Sequence, residues 1–123
     1  MNSCNFTGRL TKDPELKDKQ DGGKYVFFCL AVDAGKNKAG EKQTEWIDCI
    51  VYDKRAEFLS NYCIKGTLIE VIGRLHTTLT ETSDGNKTKR CTVYVDNVGI
   101  LNGGKPKDQT AQPETPQELP FEL

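Results

Sequence analysis

Residues 44–66, TEWIDCIVYDKRAEFLSNYCIKG, contain the most informative change of pattern in this 123-residue chain. In residues 44–52 apolar and polar side chains alternate, which is typical of a strand with one buried side. In residues 54–64 the apolar positions lie three and four apart, which is typical of a helix: Ala56, Leu59 and Cys63. Lys65 and Gly66 then supply a cation and a glycine, which favour the end of a helix. The stretch predicts a strand followed directly by a short helix.

The flanking sequence repeats the strand pattern and contains no second helical segment. Four further stretches alternate with period two between clusters of Gly, Asn and Asp: residues 3–10, 24–33, 67–78 and 88–101. Asp84-Gly85 is a turn signal between the last two strands. Five strands with one helix between the third and the fourth is the order of a five-stranded Greek-key barrel. The sequence therefore predicts an all-β fold with one short helix.

The composition changes after Leu101. Residues 103–123 hold four of the five prolines and few apolar side chains, so they bury too little surface to offset the entropy lost on ordering. We therefore expect a folded domain at 1–102 and a disordered acidic tail at 103–123. Through Lys105 the chain has 16 Lys and Arg against 14 Asp and Glu, a balance of +2, and from Pro106 onward it has 1 against 4, a balance of −3. Because binding depends on local fields, a partner of the folded part can still be an anion.

The five cysteines do not form a metal-binding or disulfide pattern. Their number is odd, and no two have CxxC spacing. Four of them fall in strand-like apolar stretches, where we expect reduced core thiols: Cys4, Cys29, Cys49 and Cys91. The sequence also lacks a P-loop, a GxGxxG motif and a nucleophile elbow, so we expect neither an enzyme nor a cofactor.

The sequence shows no apolar run near the roughly 18–20 residues of a membrane span. Its first residues, MNSCNFTGRL, lack the basic and apolar segments of a secretory signal. We therefore expect no membrane partner and a cytoplasmic location.

Alternation places Trp46 and Tyr52 on the outer side of the third strand. Bases of single-stranded nucleic acid stack on exposed aromatic rings with little sequence preference. Lysines and arginines recur around the same surface, where cations can contact phosphates. The alternative is that both rings pack against a loop or another subunit.

Four stretches of the chain resemble bacterial single-stranded DNA-binding proteins: GRLTKDPEL at 8–16, EKQTEWIDCIVYDKRAEFLSNYCIKG at 41–66, IEVIGRL at 69–75 and DGNKTKRCTVYVDNV at 84–98. The resemblance implies an OB-fold that assembles as a homotetramer and binds single-stranded DNA during replication, recombination and repair in the nucleoid. It implies that Trp46 and Tyr52 are the stacking residues. It also implies a set of basic phosphate contacts: Lys12, Lys54, Lys65, Arg74, Lys87, Lys89 and Arg90.

The chain departs from the family pattern in two places. Family members usually carry further aromatic residues near Gly35-Lys36 and near Thr80, and neither is present here. Family tails usually end in an acidic stretch and a Pro-Phe that docks onto replication and repair proteins, whereas Phe121 is followed here by Glu-Leu. We expect a partner-docking element formed by Leu119, Pro120 and Phe121.

Two other functions are compatible with the same pattern. One is a protein-interaction OB module of a replication or conjugation complex, with Trp46 and Tyr52 in a protein interface. The other is an RNA-binding OB domain. Salt-dependent binding to oligothymidine separates the first from DNA binding, and competition between poly-dT and poly-U separates the second.

Overall fold

A computed structural model of the chain describes residues 1–104. Its elements in chain order are β1 (Cys4–Leu10), β2 (Lys17–Asp18), β3 (Lys24–Lys36), β4 (Lys42–Tyr52), α1 (Asp53–Tyr62), β5 (Leu68–Glu81) and β6 (Lys87–Asn102). The five predicted strands are confirmed, and so is the helix after the third of them, although it ends at Tyr62 with Cys63 as its C-cap rather than at Lys65-Gly66. The two-residue strand β2 is additional, and its two charged residues carry no periodicity from which it could be predicted.

The strands form one sheet that closes on itself. The strand order is β1-β5-β6-β4-β3-β2, and β1 also pairs with β3 through Arg9–Ala31 and Leu10–Leu30. All pairings are antiparallel except that of β4 with β6. At the closure, a Cβ on Gly8 would clash with the carbonyl oxygen of Ala31 and lie 3.0 Å from its carbonyl carbon. The close approach of β1 to β3 beside these two pairs therefore requires glycine at position 8.

The core fills the inside of this barrel with the alternate residues of each strand. The most deeply buried side chains include Phe28, Leu30, Val51, Leu59, Ile69 and Val71. Helix α1 contributes Ala56 and Leu59 to the same cluster and so covers one end of the barrel. Burying a side chain of this kind stabilises the fold by about 1.5–3 kcal/mol. Within residues 1–104 no helix is long and apolar enough to cross a membrane.

Thr67 is the buried polar residue of this core. Its hydroxyl accepts a hydrogen bond from the Ile64 amide at 3.0 Å and donates one to the Gly103 carbonyl at 2.8 Å. Contacts with the barrel thus continue to Gly103. The predicted disorder of 103–123 concerns mostly residues outside the described range, as does the element Leu119-Pro120-Phe121, and the division into two domains stays a prediction.

The β5–β6 hairpin extends beyond the barrel. Residues 75–81 and 87–91, which we call the hairpin arm, are exposed on both sides of the ribbon. Leu79, for example, is 72% exposed. The arm is thus held mainly by its own cross-strand hydrogen bonds.

The cysteines differ in exposure more than their sequence positions suggest. Residues 1–104 include all five, and no disulfide forms among them. Cys49 is buried as expected, and burial, followed by the neighbouring Cys29, raises its pKa to about 12. The expectation of a core thiol is wrong for Cys91, which is exposed because it lies on the hairpin arm opposite Thr77.

We expect Cys91 to react much faster than Cys49 with an aromatic disulfide reagent at pH 8. The attacking species is the thiolate, and a pKa of about 12 keeps the Cys49 thiol protonated while burial excludes the reagent. The rate of thiol modification in native protein, followed by absorbance, measures this. Cys91→Ser should remove the fast phase. A fast phase that survives this substitution contradicts the assignment.

Candidate nucleic-acid interface

The outer sides of four neighbouring strands form one continuous surface. A cross-strand row connects them, since Phe27 of β3 pairs with Ile50 of β4, Ile50 with Tyr94 of β6, and Tyr94 with Arg74 of β5. Because side chains alternate along β4, the predicted stacking residues Trp46 and Tyr52 both lie on this outer surface. We call this surface the aromatic face, and its outward side chains are Tyr25, Phe27, Trp46, Asp48, Ile50, Tyr52, Arg74, His76, Arg90, Tyr94 and Asp96.

Tyr94 lies at the centre of a ring cluster on this face. Its ring meets Tyr52 edge to face, with centroids 6.2 Å apart and planes at 68°. His76 packs against it from the other side with centroids 4.7 Å apart. Burial, followed by the Tyr94 hydroxyl, raises the pKa of Tyr52, so its phenol is a neutral hydrogen-bonding group at physiological pH. The cluster presents rings that are held in place by one another.

Trp46 stands apart from this cluster. It lies opposite Ala31 on β3 and is 66% exposed. Its indole makes no ring contact with other aromatic residues of the described chain. Because Ala31 is small, nothing on the neighbouring strand at that register covers the indole face. Trp46 is thus available to a planar ligand without rearrangement of the barrel.

Both arginines on the aromatic face are paired with aspartates. Arg74 Nε donates to Asp96 Oδ2 at 3.3 Å, and Arg90 Nη2 lies 3.5 Å from Asp48 Oδ2. The Arg90 guanidinium also lies over the Phe27 ring, 5.4 Å from its centroid. These pairs are partly exposed, so each is weak and is screened by salt. An anion can therefore compete with the aspartates for both arginines.

The structure separates the predicted basic residues into groups. Lys87 and Lys89 share the side of β6 that faces the core at Val93, whereas Arg90 points to the aromatic face. All three are exposed, since the hairpin arm lies outside the barrel. The structure thus gathers Arg74 and Arg90 beside Trp46 and Tyr52, and places the two lysines on the other side of the ribbon.

The remaining predicted lysines lie around the barrel ends. Lys12 is close enough to Cys29, on the outer side of β3, to oppose the burial-driven rise in its pKa. The backbone amide of Lys65 donates to Asp13 Oδ1 at 2.8 Å, which joins the loop after α1 to the segment after β1. Lys54 lies on α1 in a cleft lined also by Arg55, Phe58, Asn97 and Val98. Among these three, Lys12 is the one whose charge reaches the outer side of β3.

Sequence reasoning missed several residues of this face as candidate site residues. Phe27 is 40% exposed, but it belongs to the apolar run YVFFCLAV, in which nearly every residue is apolar and alternation is difficult to detect. Tyr94 and His76 alternate with inward-facing residues of their strands, and this alternation could have identified them as residues of the outer surface. Lys19 follows the unpredicted strand β2 and lies over the Tyr52 ring, 4.9 Å from its centroid. Within residues 1–104 no group of three His, Cys, Asp or Glu side chains is arranged to hold a metal ion.

Comparison with known proteins connects this fold to a family. Residues 1–101 match the family model described as the single-strand binding protein family. The chain belongs to this family. A family member from Bacillus cereus, named single-stranded DNA-binding protein, is 40% identical over 108 residues, which are 85% of this chain and 64% of the relative. One of the same name from Enterococcus faecalis is 34% identical over 110 residues, 89% of this chain and 58% of the relative.

The chain therefore spans less than two thirds of the length of these two family members. A solved structure described as the Plasmodium falciparum SSB complex with ssDNA superimposes with a TM-score of 0.72. The match covers 83% of this chain and 96% of the other at 23% identity. At this identity the likeness establishes the shared fold, and the OB-fold expected from the family resemblance is confirmed.

Proposed function

We propose that the chain binds and protects single-stranded DNA without sequence preference during replication, recombination and repair, and that it acts by binding rather than by catalysis. The observation that carries the proposal is the aromatic face, in which an exposed indole and a ring cluster lie beside two arginines. Its relatives' names point to the same ligand.

Stacking accounts for the lack of sequence preference. Trp46 and Phe27 are large exposed apolar side chains on the aromatic face, and every base offers a π-face to them. Each stacked base contributes about 1–3 kcal/mol, whatever its identity. Discrimination between bases would require donors and acceptors aimed at base edges. The arginines of this face are instead paired with aspartates and suited to exchange with phosphates.

Phosphate contacts make binding sensitive to salt. Arg74 and Arg90 are placed beside the rings, and we propose that Lys12, Lys54, Lys65, Lys87 and Lys89 extend the contact with the backbone of the strand. Since the balance through Lys105 is only +2, long-range attraction is weak and moderate salt should abolish binding. Titration of fluorescent oligothymidine at increasing salt tests this proposal. Absence of binding at low salt would instead favour a protein interface on the aromatic face. In a competition experiment, stronger competition by poly-U than by poly-dT would favour an RNA ligand.

Neutralising Lys87, Lys89 and Arg90 together should lower affinity for oligothymidine and flatten its salt dependence. The logarithm of the binding constant changes by about −0.7 per unit of log salt for each phosphate neutralised on a single strand. Titrations at several salt concentrations measure the slope. Arg90 points away from the two lysines. Comparing the slope of Arg90→Gln alone with that of the double lysine variant therefore shows how much each side of the ribbon contributes to the salt dependence. An unchanged slope in the triple variant would place the strand elsewhere.

We also propose that the chain assembles as a homotetramer. Residues 4–7 of β1 pair only with β5 in the described structure, which leaves their other edge open to a second strand. Ile72 and Leu101 are 44% and 49% exposed on the outer side of the same part of the barrel. An open edge beside exposed apolar side chains supports self-association. Solution mass with and without oligothymidine tests the stoichiometry.

Two further proposals depend on DNA binding. We propose a cytoplasmic, nucleoid-associated location, because that is where the ligand lies. We also propose that Leu119, Pro120 and Phe121 recruit replication or repair proteins, since short apolar groups in polar segments are common docking elements. Loss of partner capture in Phe121→Ala, with DNA affinity unchanged, is the expected result.

A further inference from the structure

Two rings of the aromatic face are each covered by a cation that an aspartate holds. Over Phe27 this cation is Arg90, whose guanidinium lies 5.4 Å from the ring centroid and 3.5 Å from Asp48. Over Tyr52 it is Lys19, whose ammonium lies 4.9 Å from the ring centroid and 3.6 Å from Asp21. The arrangement of ring, cation and carboxylate thus occurs twice on one surface.

Different parts of the chain build the two arrangements. Phe27, Asp48 and Arg90 come from the three neighbouring strands β3, β4 and β6. The barrel holds Phe27 and Asp48, and Arg90 reaches them from the base of the hairpin arm. Lys19 and Asp21 come from the turn between β2 and β3, where Lys19 N–H donates to the Gly23 carbonyl at 2.7 Å. Asp21 accepts the Gly23 amide, and this bond, followed by the charge of Lys19, lowers the pKa of Asp21 and keeps it ionised.

A base and a cation cannot occupy the same face of a ring. The attraction of a cation to an exposed ring is weak, and so is an ion pair in contact with water. A nucleotide that arrives at the face brings both a base for the ring and a phosphate for the cation. The ring and the cation thus each exchange one partner for another, and the aspartate is released.

We propose that Arg90 and Lys19 exchange partners when a strand binds: the base replaces the cation on the ring, and the phosphate replaces the aspartate. This inference rests on the proposed function. It assigns Phe27 as a stacking residue and Lys19 as a phosphate contact. It also makes Asp48 and Asp21 intramolecular competitors of the DNA backbone that limit its affinity.

The exchange predicts an unusual effect of removing a carboxylate. In the parent, a phosphate that takes Arg90 leaves Asp48 unpaired, so Asp48 gathers a cation from solution and reduces the net release of counterions. In Asp48→Asn this uptake disappears. We expect affinity for oligothymidine at low salt to rise about two- to fivefold, the range of a weak surface pair. The slope of log K against log salt should become more negative by up to about 0.7.

The experiment compares four full-length proteins: the parent, Asp48→Asn, Arg90→Gln and the double variant. Each is titrated with fluorescent oligothymidine at several salt concentrations. Asp48→Asn should gain affinity over the parent, whereas the double variant should bind no better than Arg90→Gln. Glu45→Gln is the control for the loss of one negative charge, because it removes from the opposite side of β4 a carboxylate that forms no ion pair within residues 1–104.

The outcomes distinguish this inference from the proposed function. If Asp48→Asn binds like the parent or like Glu45→Gln, or if its gain persists without Arg90, the exchange is overturned while DNA binding stands. If the parent fails to bind at low salt, the proposed function falls and the exchange with it. The position of Arg90 over the Phe27 ring in the free protein can also be tested without DNA. The ring current of Phe27 should shift the side-chain proton resonances of Arg90 upfield. Equal Arg90 resonances in the parent and in Phe27→Leu overturn the exchange.

Discussion

Trp46→Ala should weaken binding to oligothymidine by about 1–3 kcal/mol, which is the largest single-residue effect on affinity that we expect. The indole is 66% exposed and lies opposite the small Ala31, so a base reaches it without displacing another group. Tyr52→Ala should act in the same direction but less strongly, because Lys19 covers its ring in the free protein. Fluorescence anisotropy of a labelled oligonucleotide measures both variants.

The sequence supplies a second signal and a control for this prediction. Trp46 is the sole tryptophan, so quenching of the protein's indole emission by oligothymidine reports on this position alone. Tyr62 is a matched control, since it is 50% exposed but lies on α1 against Phe58. Tyr62→Ala should keep the parental affinity. A folded Trp46→Ala that binds like the parent, with no quenching in the parent, would show that bases do not stack there.

Gly73→Ala should destabilise the barrel by about 1–3 kcal/mol or more, the range for forcing additional atoms into a packed interior. A Cβ at this position would clash with the carbonyl oxygen of Tyr94 and lie 2.9 Å from its carbonyl carbon. Both atoms belong to backbone, so neither can rotate away. The pairing of β5 with β6 shifts register at this point, where Gly73 lies opposite Val95. Relief of the clash would require β6 to move.

Thermal unfolding at one protein concentration measures this effect, because assembly would make the midpoint depend on concentration. A loss of 1 kcal/mol lowers the midpoint of a domain of this size by roughly 4–8 °C. Gly99→Ala is the control on the neighbouring strand β6, where the three atoms nearest to the added Cβ all belong to the Glu70 side chain, with Oε1 nearest at 3.1 Å. That carboxylate ends a flexible side chain and can turn aside. Equal midpoints for the two variants would contradict the argument.

Alternation and spacing predicted those parts of the fold that depend on neighbours in sequence. They placed Cys49 and Val51 inside, Trp46 outside, and the buried Ala56 and Leu59 on a helix. Alternation along β6 also predicts that Arg90 faces the opposite side from Lys87 and Lys89, although the sequence interpretation treated the three as one cluster. The error came from grouping residues by sequence distance, whereas successive residues of a strand face opposite sides.

Contacts between distant strands could not be predicted in this way. Arg90 reaches Asp48 and Phe27 only because β4 and β6 run parallel and adjacent, which no local pattern specifies. Lys19 reaches Tyr52 through a turn whose short strand has no apolar residues. Cys91 shared its apolar surroundings with the core cysteines, and only the length of the hairpin shows that it lies outside the barrel.

Because the hairpin arm lies outside the barrel, we expect the arm to be less rigid than the part of the aromatic face that the barrel supports. Leu79 is 72% exposed, and within residues 1–104 no packed layer covers either side of the arm. The arm should therefore open locally at a small fraction of the global unfolding free energy, and its amide hydrogens should exchange first. Phe27 and Tyr94 instead sit on strands whose inward neighbours Phe28 and Val93 are buried in the core. A strand that binds the central rings meets a preorganised surface, whereas contacts with the arm lose part of their free energy to ordering it. We therefore expect substitutions on the barrel to change the affinity for single-stranded DNA more than substitutions on the arm.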